Sequence, residues 1–390
     1  MTLPYPIRAD HIEQIRSRVA AYPSVALALQ GGGALGSYQA GVMEALTTAQ
    51  INPTQVVGVS IGAINAALIA GNAPERRMAR ITEFWERVTT TSAWLPTPWG
   101  EAPRRWFNLM NAGLSMVRGA AGFFTPRPLN PWFAPSGWDG ATSFYDTSAL
   151  RATLLELVDW ELLNAGPTRI AVGAVDVRSG NFRYFDSAHE RLAPEHIMAS
   201  GALPPGFPGI EIDGVTYWDG GLVSNTPLQY LLEFEKQVDT LVFQVDLFNA
   251  RGDVPLDMPA VLTRQKEILY SSRTRNNTDA FRRAHVARAR LRDALKRLPS
   301  EALTADDRAF LDQTEDTPQI NILHLIYQHP PHEGDAQDFE FSRASMLDHW
   351  AAGRSDTVRT LSRPERLDKP SEKDGVKIFD VQHPKEEIVA

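Results

Sequence analysis

Two glycine-flanked turns near the N-terminus carry the residue types that nucleophilic chemistry requires. The first turn is Gly31-Gly32-Gly33-Ala34-Leu35-Gly36, and the second is Gly58-Val59-Ser60-Ile61-Gly62. Each follows a short apolar run that is typical of a β-strand and precedes a run that is typical of a helix. A strand, a tight glycine turn and a helix together expose the turn residue at the edge of a sheet. In the second turn that residue is a serine.

Ser60 is a candidate nucleophile because of the glycines on either side of it. A sharp strand-to-helix turn has strained backbone angles, and a β-carbon at Gly58 or Gly62 would crowd it. The helix that follows also directs its positive N-terminal end toward the serine. Because the chain has 27 glycines in 390 residues, the five-residue pattern also arises by chance. Its position between a strand and a helix therefore carries the prediction.

The glycine-rich turn of residues 31–36 admits more than one interpretation. Its residues fit the dinucleotide-binding pattern G-x-G-x-x-G. That site, however, needs Asp or Glu at the end of the following strand, where this chain has Ser60. A phosphate-binding Walker loop also fails, because Ser37 and Tyr38 occupy the Lys and Ser/Thr positions. Consecutive glycine amides at a helix N-terminus can instead direct several N–H donors at one oxygen. That arrangement suits the oxyanion of an acyl-transfer intermediate.

A serine nucleophile needs a neighbouring group that takes its proton. The usual partner is a histidine, but none of the nine histidines lies in a glycine-flanked turn after a strand. They are His11, His189, His196, His285, His324, His329, His332, His349 and His383. Asp219 is better placed, because it ends a short apolar run and is followed by Gly220 and Gly221. These residues favour a Ser-Asp pair, with a Ser-His-Asp hydrolase as the open alternative.

The elements around these turns predict a mostly parallel sheet covered by helices. Strands over residues 25–30 and 55–59 alternate with helices over 37–49 and 61–70, a β-α-β-α order that favours parallel pairing. Further helices are expected at 10–21, 75–88, 147–164, 194–200, 227–235 and 342–361. Further strands are expected at 169–175, 181–185, 215–218, 240–245 and 319–328. The chain is therefore expected to be an α/β protein.

Residues 91–140 form an insertion that is rich in aromatic residues. It contains the tryptophans Trp94, Trp99, Trp106, Trp132 and Trp138. A long insertion of this kind is often a lid or a binding surface. Two interpretations are open: an apolar pocket wall or lipid-facing cap, and a satellite core under a long loop.

The sequence beyond residue 257 changes to long helical runs. Residues 264–297 are rich in Lys and Arg, which suits anionic lipid headgroups but is more typical of a solvated helix face. Residues 363–390 are dense in charge and are expected to form a loosely held tail.

Composition and charge exclude several classes of protein. A chain that is 43% hydrophobic and 22% charged is typical of a globular protein, and its net charge of −8 argues against general nucleic-acid binding. The lack of cysteine excludes disulfides, thiolate metal sites and cysteine nucleophiles. The first residues lack a signal-peptide pattern, and the uncharged run over 53–74 fits a buried strand, turn and helix better than a membrane span. A cytoplasmic protein is expected, with peripheral membrane contact left open.

Three motifs in order carry a family resemblance. They are Gly31-Gly32-Gly33-x-x-Gly36, Gly58-x-Ser60-x-Gly62 and Asp219-Gly220-Gly221, with Ala199-Ser200-Gly201-Ala202-Leu203-Pro204-Pro205-Gly206-Phe207-Pro208 before the last. Together they resemble the patatin-like phospholipases, which are Ser-Asp dyad lipid acyl hydrolases, over about residues 24–246. The resemblance implies a three-layer α/β/α fold, Ser60 as nucleophile, Asp219 as base and an oxyanion hole over Gly31, Gly32, Gly33 and Ala34. It implies no metal, no cofactor and no catalytic histidine.

Two positions depart from the pattern of that family. Many members carry Arg or Lys before the last glycine of the first motif, where this chain has Leu35. Many have an acidic or small residue before the motif, where this chain has Gln30. Neither departure touches the predicted dyad, but both bear on the headgroup that the site accepts.

These observations divide the chain into an N-terminal helical segment (1–23), a patatin-like catalytic domain (24–250) with the insertion (91–140), and a helical C-terminal extension (251–390). The expected activity is hydrolysis of carboxylic esters, in a lipid or other ester substrate, through an acyl-enzyme on Ser60. It is of the phospholipase A or esterase kind. The alternatives are an acyltransferase, a storage-polyester or short-chain esterase with the same dyad, and a non-catalytic lipid-binding protein.

Overall fold

A mostly parallel sheet forms the centre of the protein. The computed structural model describes residues 9–89, 98, 100–232, 238–271, 274–314, 318–330, 333–334, 336–371 and 375–380. Its strands are β1 (Ser24–Leu29), β2 (Gln55–Val59), β3 (Thr125–Pro126), β4 (Tyr145–Asp146), β5 (Arg169–Asp176), β6 (Phe182–Asp186), β7 (Ile210–Ile212), β8 (Val215–Asp219), β9 (Thr240–Asp246), β10 (Ile320–Ile326) and β11 (Val376–Asp380). The strand order is β11-β10-β9-β1-β2-β5-β8-β7, with β6 also paired to β5 and a separate β3-β4 pair.

The run from β11 to β5 is parallel throughout, whereas β6 and β8 pair with β5 in the antiparallel sense. The central strands are near-continuous apolar runs, as expected where both faces of a parallel sheet are covered. Strand β9 is an example, since every residue of Thr240–Asp246 is buried.

Helices cover both faces of this sheet. They are α1 (Ala9–Val19), α2 (Ser37–Thr48), α3 (Ile61–Ala70), α4 (Pro74–Val88), α5 (Glu101–Arg118), α6 (Ser148–Leu157), α7 (Trp160–Ala165), α8 (Pro194–Ser200), α9 (Leu228–Leu232), α10 (Met258–Ser271), α11 (Thr274–Leu295), α12 (Ala305–Gln313) and α13 (Arg343–Leu361). Within the described ranges, none of them is both long enough and apolar enough to span a lipid bilayer.

Alternation along β1 shows the two faces. Leu27 and Leu29 belong to one apolar cluster, with residues of α2, α3 and α13, while Ala26 and Ala28 belong to a second cluster, with residues of α9. The expected three-layer α/β/α fold with helices in its C-terminal part is therefore confirmed.

Two glycines allow α2 and α13 to pack in close contact. A β-carbon on Gly41 would lie 2.0 Å from the Trp350 carbonyl oxygen, and one on Gly353 would lie 2.0 Å from the Tyr38 carbonyl oxygen. The Tyr38 hydroxyl donates to Asp356 across the same interface at 2.9 Å. The helix that follows the glycine-rich turn is thus tied to a helix more than three hundred residues later.

The expectation of a loosely held tail is wrong for the described residues between 363 and 380. Leu367 is buried, and β11 adds a parallel strand to β10 with Val376 beside Ile320. The charges of this segment obscured a strand pattern in which Val376 and Ile378 pack against the sheet. Residues 381–390 lie outside the described part of the chain.

Two other helix predictions need adjustment. The helix expected over 147–164 is split into α6 and α7, because the Asp159 carboxylate accepts the amides of Glu161 and Leu162 and so begins a new helix. The helix expected over 227–235 is described only as α9, since residues 233–237 lie outside the described ranges.

Candidate active site

Ser60 and Asp219 come together because of strand pairing. Val59, which precedes Ser60, pairs with Gly173 of β5, and Asp219 pairs with Ala174 of the same strand. The two side chains line one pocket. The Ser60 side chain is a polar neighbour of the Asp219 carboxyl and lowers the pKa of that carboxyl. The structure thus brings together the two residues that the sequence singles out from separate motifs.

The turn that holds Ser60 is strained, and its glycines are sterically required. Ser60 has a φ of 56° and a ψ of −126°, a conformation that side chains rarely adopt. A β-carbon on Gly58 would lie 2.3 Å from the Gly62 carbonyl oxygen, and one on Gly62 would lie 2.3 Å from the Leu29 carbonyl oxygen. The crowding expected at both glycines is therefore present in the fold.

Ser200 fixes the backbone of the strained turn. The Ser60 amide donates to both the carbonyl and the hydroxyl oxygen of Ser200, each at 3.1 Å. The Ser200 hydroxyl in turn donates to the Gly173 carbonyl at 2.6 Å. Because Ser200 is fully buried, this pair of contacts anchors Ser60 to β5. Ser200 lies within a motif of the family resemblance, but sequence reasoning gave it no role.

The glycine-rich turn presents amides to the same pocket. Gly31, Gly32 and Gly33 line the pocket, and Ala34 does not. The Gly31 amide donates to the Asn225 carbonyl at 3.4 Å, whereas the Gly32 and Gly33 amides donate to no acceptor in the described part of the chain. These two amides are therefore the available donors of the four residues expected to form an oxyanion hole.

Gly33 is held in place by a segment from the C-terminal part of the chain. Its φ is +54°, and a β-carbon there would lie 2.2 Å from the Asp338 carbonyl oxygen. Only glycine combines this backbone conformation with so close an approach. The glycine-rich turn is thus in direct contact with the backbone of Asp338.

Gln30 and Asn225 hold the glycine-rich turn from the other side. The Gln30 side-chain oxygen accepts the amides of Leu247 at 2.5 Å and Phe248 at 3.0 Å, which follow β9. The Asn225 side chain donates to the Gly31 carbonyl at 3.1 Å. Sequence reasoning missed both contacts. A polar Gln30 at the end of an apolar strand was a usable signal, but Asn225 gave none.

Burial controls the protonation of Asp219. The side chain is only 2% exposed, and burial raises the pKa of its carboxyl to about 7. The hydrogen bond from the Gly221 amide (2.7 Å) and the polar Ser60 side chain lower this pKa, and their effect is smaller than that of burial. An ordinary carboxyl is a weak base at neutral pH, so a base for Ser60 needs a raised pKa. Burial supplies it.

Aromatic side chains form most of the pocket wall. The aromatic residues that line the pocket are Phe123, Phe124, Phe207, Phe248, Tyr270, Phe339 and Phe341. Phe123 and Phe124 come from the insertion and belong to the main core. These two residues of the insertion thus both line the pocket and pack in the core. Trp94 and Trp99 lie outside the described part of the chain.

No histidine of the described chain is among the residues that line this pocket. His329 and His349 instead surround the buried carboxylate of Glu333, with His349 Nε2 at 2.9 Å from one oxygen and His329 Nδ1 at 3.3 Å from the other. The Ser-His-Asp alternative therefore lacks a partner for Ser60 within the described part of the chain.

Two protein-family models match the chain. Residues 27–232 match the family model described as patatin-like phospholipase, and residues 268–373 match one described as patatin phospholipase. Together with the fold, these matches define the chain as a hydrolase, with lipid acyl hydrolase activity in general. Since the first match covers more than half of the chain, the chain belongs to the patatin-like phospholipase family. No curated protein matches it.

Two solved structures are similar to the chain at low identity. VipD from Legionella pneumophila is 13% identical, with 93% of this chain and 72% of that one covered and a TM-score of 0.40. Human GIVD cytosolic phospholipase A2 is 12% identical, with 62% of this chain and 48% of that one covered and a TM-score of 0.32. Because both TM-scores are below 0.5, neither likeness supports a statement about this chain.

Proposed function

We propose that the chain hydrolyses carboxylic esters of lipids through a Ser60-Asp219 dyad. The observation that carries the proposal is that Ser60, on its strained turn, and the buried carboxyl of Asp219 line the same pocket. They lie beside two glycine amides that have no acceptor in the described part of the chain. A nucleophile, a base and oxyanion donors in one pocket are the set that acyl transfer requires.

The reaction proceeds in two halves. Asp219 takes the proton of Ser60 while the serine oxygen attacks the ester carbonyl carbon. The amides of Gly32 and Gly33 stabilise the oxyanion. The tetrahedral intermediate then collapses, the alcohol leaves with the proton from Asp219, and the acyl group stays on Ser60. Asp219 next takes a proton from water, which attacks the acyl-enzyme. The fatty acid leaves, and the proton returns to Ser60.

Ester turnover is expected to depend on pH as the Asp219 pKa dictates. Since burial raises the pKa of this carboxyl to about 7, the carboxyl is protonated and inactive as a base below that pH. We expect kcat/KM to rise with pH and to level off above about 7, so that at pH 5 it is about 100-fold below the plateau.

Hydrolysis of p-nitrophenyl esters of graded chain length, measured from pH 5 to pH 9, tests both the activity and its pH dependence. Turnover that is absent throughout, or that is flat down to pH 5, contradicts the proposed dyad. Adding an alcohol acceptor and analysing the products separates hydrolysis from acyl transfer.

We also propose that the insertion contacts a lipid surface. Exposed apolar side chains lie on α5 and on the turn that follows β3, with Trp106 67%, Trp132 83% and Phe133 79% exposed. Isolated exposed apolar residues are ordinary, but a group of large ones marks an interaction surface. This insertion also supplies Phe123 and Phe124 to the pocket wall, so the exposed group is continuous in sequence with the site.

Replacing Trp132 and Phe133 by Ser is expected to lower liposome binding by at least about tenfold, because burying a large apolar side chain contributes roughly 1.5–3 kcal/mol. Co-sedimentation with vesicles measures this partition. Leu155→Ser, on α6 and 48% exposed, is the matched control and should bind as the wild type does. Equal binding by all three proteins would exclude this surface.

A further inference from the structure

The charged side chains that the described chain places in the Ser60 pocket are all acidic. Among the described lining residues, the only ionisable groups that carry charge near neutral pH are Asp219 and Asp338. Asp338 belongs to a short 3₁₀ turn, Gln337–Phe339, that presses against Gly33 of the glycine-rich turn. An anionic substituent next to the scissile ester would therefore meet carboxylates rather than a cation.

The lysine beside this wall is already paired. Lys266 Nζ lies 2.6 Å from an Asp338 carboxylate oxygen and 5.2 Å from the centre of the Phe339 ring. A lysine held by a carboxylate and an aromatic face is poorly placed to bind a second anion. The Lys266–Asp338 pair as a whole adds no net charge to the wall, so the unbalanced charge among the described lining residues is that of the Asp219 carboxylate.

The glycine-rich turn itself supplies no cation. Its Leu35 is apolar and fully buried in the core. The pKa values of Asp219 and Tyr270 agree with the lack of a cation in the described pocket lining. The groups that act on the pKa of Asp219 in the described chain are Gly221 and Ser60, with no Lys or Arg among them. Burial and the carboxylates of Asp338 and Asp219 raise the pKa of Tyr270.

We infer that the pocket selects uncharged esters, with neutral acylglycerols as the substrate class, and discriminates against esters that carry a phosphate beside the reacting group. The inference rests on the proposed ester hydrolysis. Its physical basis is electrostatic: like charges repel across a pocket of low polarity, where water screens them weakly. The aromatic wall accepts an acyl chain in either case, so the discrimination concerns the headgroup alone.

A matched pair of substrates tests the inference. The probes are 1-oleoylglycerol and 1-oleoyl-lysophosphatidic acid, which share the acyl chain and ester and differ by the phosphate, each in micelles of the same uncharged detergent. We expect kcat/KM of the wild type to favour the neutral ester by at least about tenfold. Raising the ionic strength should narrow this ratio, because salt screens the repulsion.

Asp338→Asn is the diagnostic variant. It removes one carboxylate from the wall and releases Lys266, so the ratio of neutral to anionic turnover should fall several-fold. Asp368→Asn is the control, since Asp368 pairs with Arg18 at 2.8 Å and is not among the lining residues. Its ratio should equal that of the wild type.

The outcomes are distinct. Equal turnover of the two lipids, or a preference for the phosphate ester, overturns the inference and leaves the hydrolase proposal intact. A ratio in Asp338→Asn that equals the wild-type ratio also overturns it. If neither lipid nor any p-nitrophenyl ester is cleaved, the hydrolase proposal fails and the inference fails with it. Should Asp338→Asn not fold, the wild-type ratio and its salt dependence decide.

Discussion

Ser60→Ala is expected to abolish labelling by a fluorophosphonate and to lower ester turnover by on the order of 10⁴-fold or more. The serine oxygen is the atom that forms the acyl-enzyme in the proposed mechanism, and an alanine offers nothing in its place. The residual rate would come from the glycine amides and substrate binding alone. Gel-based labelling and p-nitrophenyl ester hydrolysis, run on the same preparations, measure the two effects.

The fold should survive this change. An alanine at position 60 would keep the φ and ψ of the serine, and the amide contacts with Ser200 involve only the backbone of residue 60. Ser179→Ala, in the exposed turn after β5, is the matched control and should label and turn over as the wild type does. Full ester activity in Ser60→Ala would show that another residue is the nucleophile.

Asp219→Asn is expected to lower kcat by about 10³–10⁴-fold, because the amide cannot take the proton of Ser60. The side chain keeps its shape and can still accept the Gly221 amide. The rising limb of the pH profile should disappear with the carboxyl that produces it. Steady-state kinetics between pH 5 and pH 9 measure both changes.

The free energy of unfolding shows whether the lost activity of Asp219→Asn is due to the missing carboxyl or to unfolding. The pKa of Asp219 is raised to about 7 in the folded state, above its ordinary value of 3.8. The protonated carboxyl therefore contributes stability that is fully present below the ordinary pKa and is lost as pH rises through the folded-state pKa. Asp219→Asn should accordingly not lower the free energy of unfolding at pH 8, which urea denaturation would measure.

A second buried carboxyl gives a matched control for Asp219→Asn. Burial also raises the pKa of Asp246 to about 7, and Asp246 is outside the lining of the Ser60 pocket. Asp246→Asn should retain most of the activity. A loss in His329→Gln as large as that in Asp219→Asn, at matched folded fraction, would instead favour the Ser-His-Asp alternative.

The elements of this fold were largely predictable, because they depend on local patterns. The apolar runs before Ser60 and Asp219 became β2 and β8, and the glycines beside them marked tight turns. Strand β11 escaped prediction, since its alternation of Val376 and Ile378 is short and lies within a charged segment. Counting the charges of the whole segment therefore hides the short apolar alternation of this strand.

The site was predictable only in part. Motif spacing indicated Ser60, Asp219 and the glycine-rich turn, whose roles stay predictions until the variants are measured. The contacts that hold the glycine-rich turn in place were not predictable, because each of them joins residues that are far apart in sequence. Asn225 reaches Gly31, and Asp338 meets Gly33. Such contacts depend on how the whole sheet is assembled.

The contact between Gly33 and Asp338 has a consequence for how the protein is made. During translation, Ser60 and Asp219 are synthesised well before residue 338. Domains begin to fold from the N-terminal side while synthesis continues. Until α13 docks on α2 and the 337–339 turn supports Gly33, the nascent chain holds both dyad residues without a finished glycine-rich turn. The two residues of the proposed dyad are thus encoded early, and we expect a polypeptide that ends before residue 337 to lack ester hydrolase activity.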